Sequence, residues 1–229
     1  MLHSVPHDAR RTVPVMIQVS REGVQLLEPI ASAREQFDAH HWVKLPGFLP
    51  PPVLVDVQRV IQAARFIETI HESVSPPSVD VCMEPNATSA LLELMCNDAA
   101  LFSAIEAITG CGPLTRFSGF VYRLTPAAGH HHNWHNDMVG NRRVAMSINL
   151  EPTRYAGGVL QIRMRESEEI IEEVENVGPG DAILFRIDGA LQHRAAPVTS
   201  GVKTAFAGWF RSGPSLRDEL AQLTGAHGS

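Results

Sequence analysis

From residue 113 onward the chain breaks into short apolar runs: "RFSGFVYRL", "RRVAMSINLE", "GGVLQIRM", "EEIIEEVENV", "GDAILFRI" and "VKTAFAGWF". Each is bounded by Gly, Pro, Asn or Asp. Runs this short, with turn residues between them, leave no room for helical crossovers, so they predict an antiparallel sandwich or barrel and not βαβ units. In "RVAMSINL", Val144, Met146, Ile148 and Leu150 alternate with Arg143, Ala145, Ser147 and Asn149. That period of two gives one apolar face and one small or polar face.

The first half reads differently. Residues 31–50 suggest a short helix running into an extended "WVKLPGF", punctuated by Pro46, Pro50, Pro51 and Pro52. Apolar residues at helical spacing predict a helix over 53–70, entered through prolines suited to a first turn. A loop with Pro76 and Pro77 follows. Residues 89–110 then read as two short helices, broken near Asn97-Asp98 and ending at Gly110. "SLRDELAQL" reads as a closing helix, and the first ten residues as frayed. The expected fold is mainly β with flanking α, a double-stranded β-helix (jelly roll) buttressed by N-terminal helices. One domain spans 1–229: mostly helical support over 1–112, a jelly-roll core over 113–212, and a C-terminal helix and tail over 213–229.

Composition narrows the function. Hydrophobic residues make up 44% and charged residues 19%, as in a core-forming globular chain. A net charge of −6, without a Lys/Arg run, argues against nucleic acid as a partner. No apolar stretch reaches the length of a membrane span, and "MLHSVPHDARRTVPVMIQ" lacks the apolar core of a signal peptide. Cys82, Cys96 and Cys111 have no metal-like spacing and read as reduced thiols. A cytoplasmic protein with no membrane partner is expected, its oligomeric state open.

The chemistry concentrates in "HHHNWHND", residues 130–137. A strand would put His135 and Asp137 on one face, with Trp134 and Asn136 facing away. A distant His193, in "LQHRAAP", would complete two imidazoles and a carboxylate, the donor set suited to non-haem Fe(II) with open positions. If "TSGV" turns the chain, the strand of His193 pairs with the next, and Lys203 falls roughly 10 Å from the metal at ~3.3 Å per residue. There it would meet the far carboxylate of a chelating dicarboxylate. Arg142 and Arg143 could line the pocket mouth, although a solvated strand start is the plainer reading.

His135-x-Asp137, His193, Lys203 ten residues later and Trp209 in "AFAGWF" together resemble the Fe(II)/2-oxoglutarate-dependent dioxygenases. The prolyl-hydroxylase-like branch is most similar, through "YAGGVLQIR" and "GDAILFRI…LQHRAAPV". The resemblance implies Fe(II) on His135, Asp137 and His193, with 2-oxoglutarate and O2 as co-substrates and ascorbate as a possible support. It implies hydroxylation of an unactivated C–H bond in a small molecule, amino acid or peptidyl substrate, with release of succinate and CO2. Halogenating relatives usually carry a small residue where this chain has Asp137. The co-substrate would meet Lys203, Asn149 and Thr125, the last two standing where relatives carry tyrosines. Arg142, His131 and Trp209 are candidate substrate-pocket residues. A jelly-roll ligand-binding module without turnover, or a cupin-like enzyme using another metal, are the alternatives.

Overall fold

The computed structural model describes residues 16–28, 30–71, 78–127, 130, 132–215 and 218. Near the start, β1 (Ile17–Ser20) and β2 (Gly23–Leu26) form a hairpin. Then follow α1 (Ala31–His40), β3 (Trp42–Leu45) and α2 (Pro51–Ala63), whose first turn holds the expected prolines. The helix stops short of the predicted 70. Ala64 is extended (ψ 149), and "FIETIH" forms β4 (Phe66–His71) against β5 (Ser78–Met83). Phe, Ile and Thr dominate that segment, and such side chains gain more on a pleated surface than in a helix.

Next, α3 (Ala87–Cys96) starts in a capping box between Asn86 and Ser89. The break before α4 (Ala99–Thr109) falls at Asn97-Asp98, where the Asp98 carboxylate accepts from the Ala100 and Leu101 amides at 2.7 and 3.4 Å. Gly110 ends α4 in the left-handed region, as the sequence suggests. The predicted closing helix and frayed N-terminus lie outside the described residues, apart from Ser215 and Asp218.

The strands after residue 113 are β6 (Arg116–Leu124), β7 (Arg142–Asn149), β8 (Ala156–Gly157), β9 (Leu160–Met164) and β10 (Ile170–Val174). They continue as β11 (Ala182–Arg186), β12 (Leu191–Ala195), β13 (Val198–Ser200) and β14 (Lys203–Arg211). A seven-stranded antiparallel sheet runs β3-β11-β7-β14-β6-β5-β4, and a smaller sheet runs β10-β9-β12. Strands β4 and β5 thus place part of the segment read as helical support inside the main sheet.

Alternation decides what each face meets. Phe117, Val121, Val144, Met146, Ile148, Phe206 and Phe210 pack with Leu92, Leu101, Ile105 and Ile108 of the helices. The other face, with Ala145 and Trp209, looks across at Leu160, Ile162 and Leu191 of the smaller sheet. The space between the two sheets holds the site.

Candidate metal centre and cavity

His193 sits on β12 between outward-facing Gln192 and Arg194 and is buried. His135 joins that edge through a single bridge: its N–H donates to the His193 carbonyl at 3.1 Å and its carbonyl accepts in return at 2.8 Å. The flanking chain is irregular, and Asp137 has φ 55, so turn geometry sets the His-x-Asp pair, not the strand alternation expected from sequence. The left-handed conformation at Asp137 swings its carboxylate back under both rings.

The His135 Nδ1 lies 2.7 Å from the Asn133 carbonyl, which can only accept. Its hydrogen is therefore on Nδ1, and the Nε2 lone pair faces Asp137 Oδ1 at 3.5 Å. His193 Nε2 lies 3.2 Å from Asp137 Oδ2, and the two imidazole centroids are 4.4 Å apart. Three ligand atoms thus lie within 4.8 Å of one another. Two imidazole nitrogens and a carboxylate converging this closely fit one divalent cation.

The electrostatics agree. Burial opposes ionisation of Asp137, but hydrogen bonds from His193 and the Trp209 indole N–H, together with the nearby imidazoles, hold its carboxyl down at about 2. Burial lowers His193, keeping the ring in the neutral form a metal requires. Arg142 also reaches Asp137 Oδ1 at 3.3 Å, its guanidinium 3.5 Å over the Trp209 ring centroid.

These ligands open on a cavity of about 400 Å³. Phe120, Leu160, Phe185 and Trp209 supply much of its wall, and Tyr122, His132 and Lys203 supply its polar groups. Burial pushes the Lys203 ammonium down to about 8; its Nζ donates to the Gly158 carbonyl. Burial pushes the Tyr122 hydroxyl up to about 12, against a hydrogen bond with Ser147.

Residues 119–211 match the family model described as the 2OG-Fe(II) oxygenase superfamily. That match covers less than half of the chain. A comparison with curated proteins found no match. Among solved structures, the chain is similar to a 2OG-Fe(II) oxygenase family oxidoreductase from Burkholderia pseudomallei. Their TM-score is 0.62 at 13% identity, covering 83% of this chain and 95% of that one. A Pseudomonas putida prolyl-4-hydroxylase gives 0.59 at 18%, covering 81% and 100%. A Trichoplax adhaerens prolyl hydroxylase, in complex with a hypoxia inducible factor oxygen degradation domain peptide fragment, gives 0.59 at 17%, covering 86% and 91%. At these identities the likeness shows the double-stranded β-helix fold.

Other expectations from the sequence come out differently. Lys203 lines the cavity, but β12 pairs with β9 while β14 pairs with β6 and β7, so the hairpin argument for its distance does not hold. Asn149 does not line the cavity: its Nδ2 donates to the Val177 carbonyl at 2.7 Å and its Oδ1 accepts from the Glu151 amide. Thr125 is also outside the cavity, 2.8 Å from the His130 ring. Arg142 and Trp209 line it, whereas His131 lies outside the described residues. Trp134 borders the cavity, but its ring packs outward as expected, with Arg163 and Arg194 each 4.5 Å from its centroid.

Tyr122 and His132 were missed. Tyr122 shares its strand face with Ser118 and Phe120, and the alternation in "RFSGFVYRL" was the signal that could have singled it out over Thr125. His132, its ring 5.3 Å from that of Tyr122, is held neutral by burial and by His135, its value pushed down to about 4.

Proposed function

We propose that the chain is an Fe(II)- and 2-oxoglutarate-dependent hydroxylase, with the metal on His135, Asp137 and His193. Bound there, iron would supply oxidative decarboxylation of 2-oxoglutarate to succinate and CO2, coupled to hydroxylation of a substrate C–H bond. Lys203, whose Nζ otherwise donates to the Gly158 carbonyl, would pair with the far carboxylate of the co-substrate. Tyr122 would offer that carboxylate a hydroxyl. The indole N–H of Trp209 and the guanidinium of Arg142 would hold the Asp137 carboxylate in its metal-facing rotamer. Phe120, Leu160 and Phe185 would exclude water from the reacting groups.

The carrying observation is the convergence of the three ligand atoms on a cavity that also contains Lys203. A small-molecule or peptidyl substrate fits its size. Among the described residues no helix is long and apolar enough to cross a membrane. The three free cysteines suit a reducing, cytoplasmic setting.

Succinate release from 2-oxoglutarate, with and without a panel of candidate acceptors, tests the proposal. Turnover should require added Fe(II) and disappear in His135→Ala, Asp137→Ala and His193→Ala. Undiminished turnover in any of the three would refute the assignment of that ligand.

A further inference from the structure

The cavity is cationic at both ends. Lys203 occupies the buried end with Tyr122 and His132, where Asp80 of β5 supplies an opposing charge. Trp209 stands six residues further along β14, roughly 20 Å away at ~3.3 Å per residue. It carries the Arg142 guanidinium on its ring.

Arg142 is unusually placed for a structural arginine. Its side chain is 18% exposed, and its bond to Asp137 is long at 3.3 Å. Its Nε is buried with no hydrogen-bond partner among the described residues. Asp137 would share its charge with a bound divalent cation, so in the loaded site that carboxylate cannot neutralise both. More positive charge stands beyond: Arg211 lies opposite Arg142 in register, and Arg116 lies opposite Arg211. Glu93 of α3 answers part of that charge. This end adjoins the metal ligand Asp137 directly, and the cavity wall around the ligands is apolar through Phe120, Leu160 and Phe185.

We propose that the substrate is an organic acid whose carboxylate seats on Arg142, with an apolar body against that wall, an inference that rests on the oxygenase reading above. A guanidinium held flat on an indole presents its planar fork of donors, which a carboxylate accepts in bidentate fashion. Arg142 thus selects the acid and seats its carboxylate beside the metal ligands, and the apolar wall receives the rest of the molecule.

The test compares phenylalkyl carboxylates of graded chain length with their primary amides, alongside a short hydrophobic peptide with a free or amidated C-terminus. Binding is measured by calorimetry on protein holding Fe(II) and 2-oxoglutarate without O2. At least one acid should bind about tenfold or more tighter than its amide. The ratio should fall to near unity in Arg142→Gln and survive in part in Arg142→Lys. Because each ratio is internal to one variant, altered iron affinity does not distort it. Should Arg142→Gln fail to fold, the unmodified protein and Arg142→Lys decide. A preference confined to the peptide identifies a C-terminal carboxylate as the source and upholds the proposal. Acids and amides binding alike, or neither binding, overturns it while Fe(II) and 2-oxoglutarate binding keeps the oxygenase reading. Failure of the unmodified protein to bind iron and 2-oxoglutarate overturns both.

Discussion

At the scale of single residues, Lys203 is the most informative. A buried ammonium is costly without a partner, and burial alone lowers it to about 8, below the ordinary lysine value of about 10.4. The unfolded chain therefore binds more protons than the folded one between those values, and the ligand-free protein gains stability as pH rises through that window. An anionic co-substrate reverses the preference, because it favours the charged form. The dissociation constant for 2-oxoglutarate should stay flat below pH 8 and rise about tenfold per unit above it. Lys203→Arg should remove that rise, since arginine stays charged throughout. Calorimetric titrations across pH check this, and a flat profile in the unmodified protein would remove Lys203 from the binding site. The His-x-Asp…His set was legible as a set of chemical types, whereas Lys203 lines the cavity through a strand order other than the hairpin its spacing suggested. Tyr122 and His132 were not legible, because their roles depend on which way a strand and a loop face the cavity.

At the scale of elements, the sheet that carries the site depends on close contact between β14 and β6. Gly208 and Gly119 face each other in register, and a Cβ on Gly208 would meet the Ser118 carbonyl oxygen and the Gly119 Cα. Backbone cannot yield there as a flexible side chain would. Gly208→Ala should therefore destabilise the protein by about 3 kcal/mol in urea unfolding. Asp98→Ala, which removes only the cap of α4, should cost about 1 kcal/mol and leave 2-oxoglutarate binding unchanged.

Caps and breaks were the most readable elements. Asn97-Asp98 and Gly110 act through local hydrogen bonds and backbone conformation, so the sequence around them is sufficient. Strand β4 was not readable: "RFIETI" continues the helical spacing of α2, and only pairing with β5, beyond the intervening segment, gives its strand form an advantage. His135 and Asp137 failed as a strand for a related reason. The bridge to His193 and the positive φ of Asp137 are tertiary choices.

For the molecule as a whole, the site joins separate parts of the fold. His193 comes from the smaller sheet, Lys203 and Trp209 come from the larger one, and His135 and Asp137 come from the loop between β6 and β7. Ligands that bind all of these bind only the folded chain. Saturation at about a hundred times the dissociation constant should add roughly 2.7 kcal/mol of stability, seen as a higher melting temperature. The gain from metal should vanish in Asp137→Ala. The layered plan was legible because turn residues and period-two runs specify antiparallel strands, whereas the strand order that unites β5, β6, β14 and β7 depends on which faces bury most.

The iron assignment meets its sharpest test in one titration: Fe(II) added anaerobically to the metal-free protein in excess 2-oxoglutarate, followed by visible absorption. With iron on these three ligands, a charge-transfer band should saturate at one iron per chain and be absent from His193→Ala. A folded, unmodified protein that shows no band, or an undiminished band in His193→Ala, would contradict it.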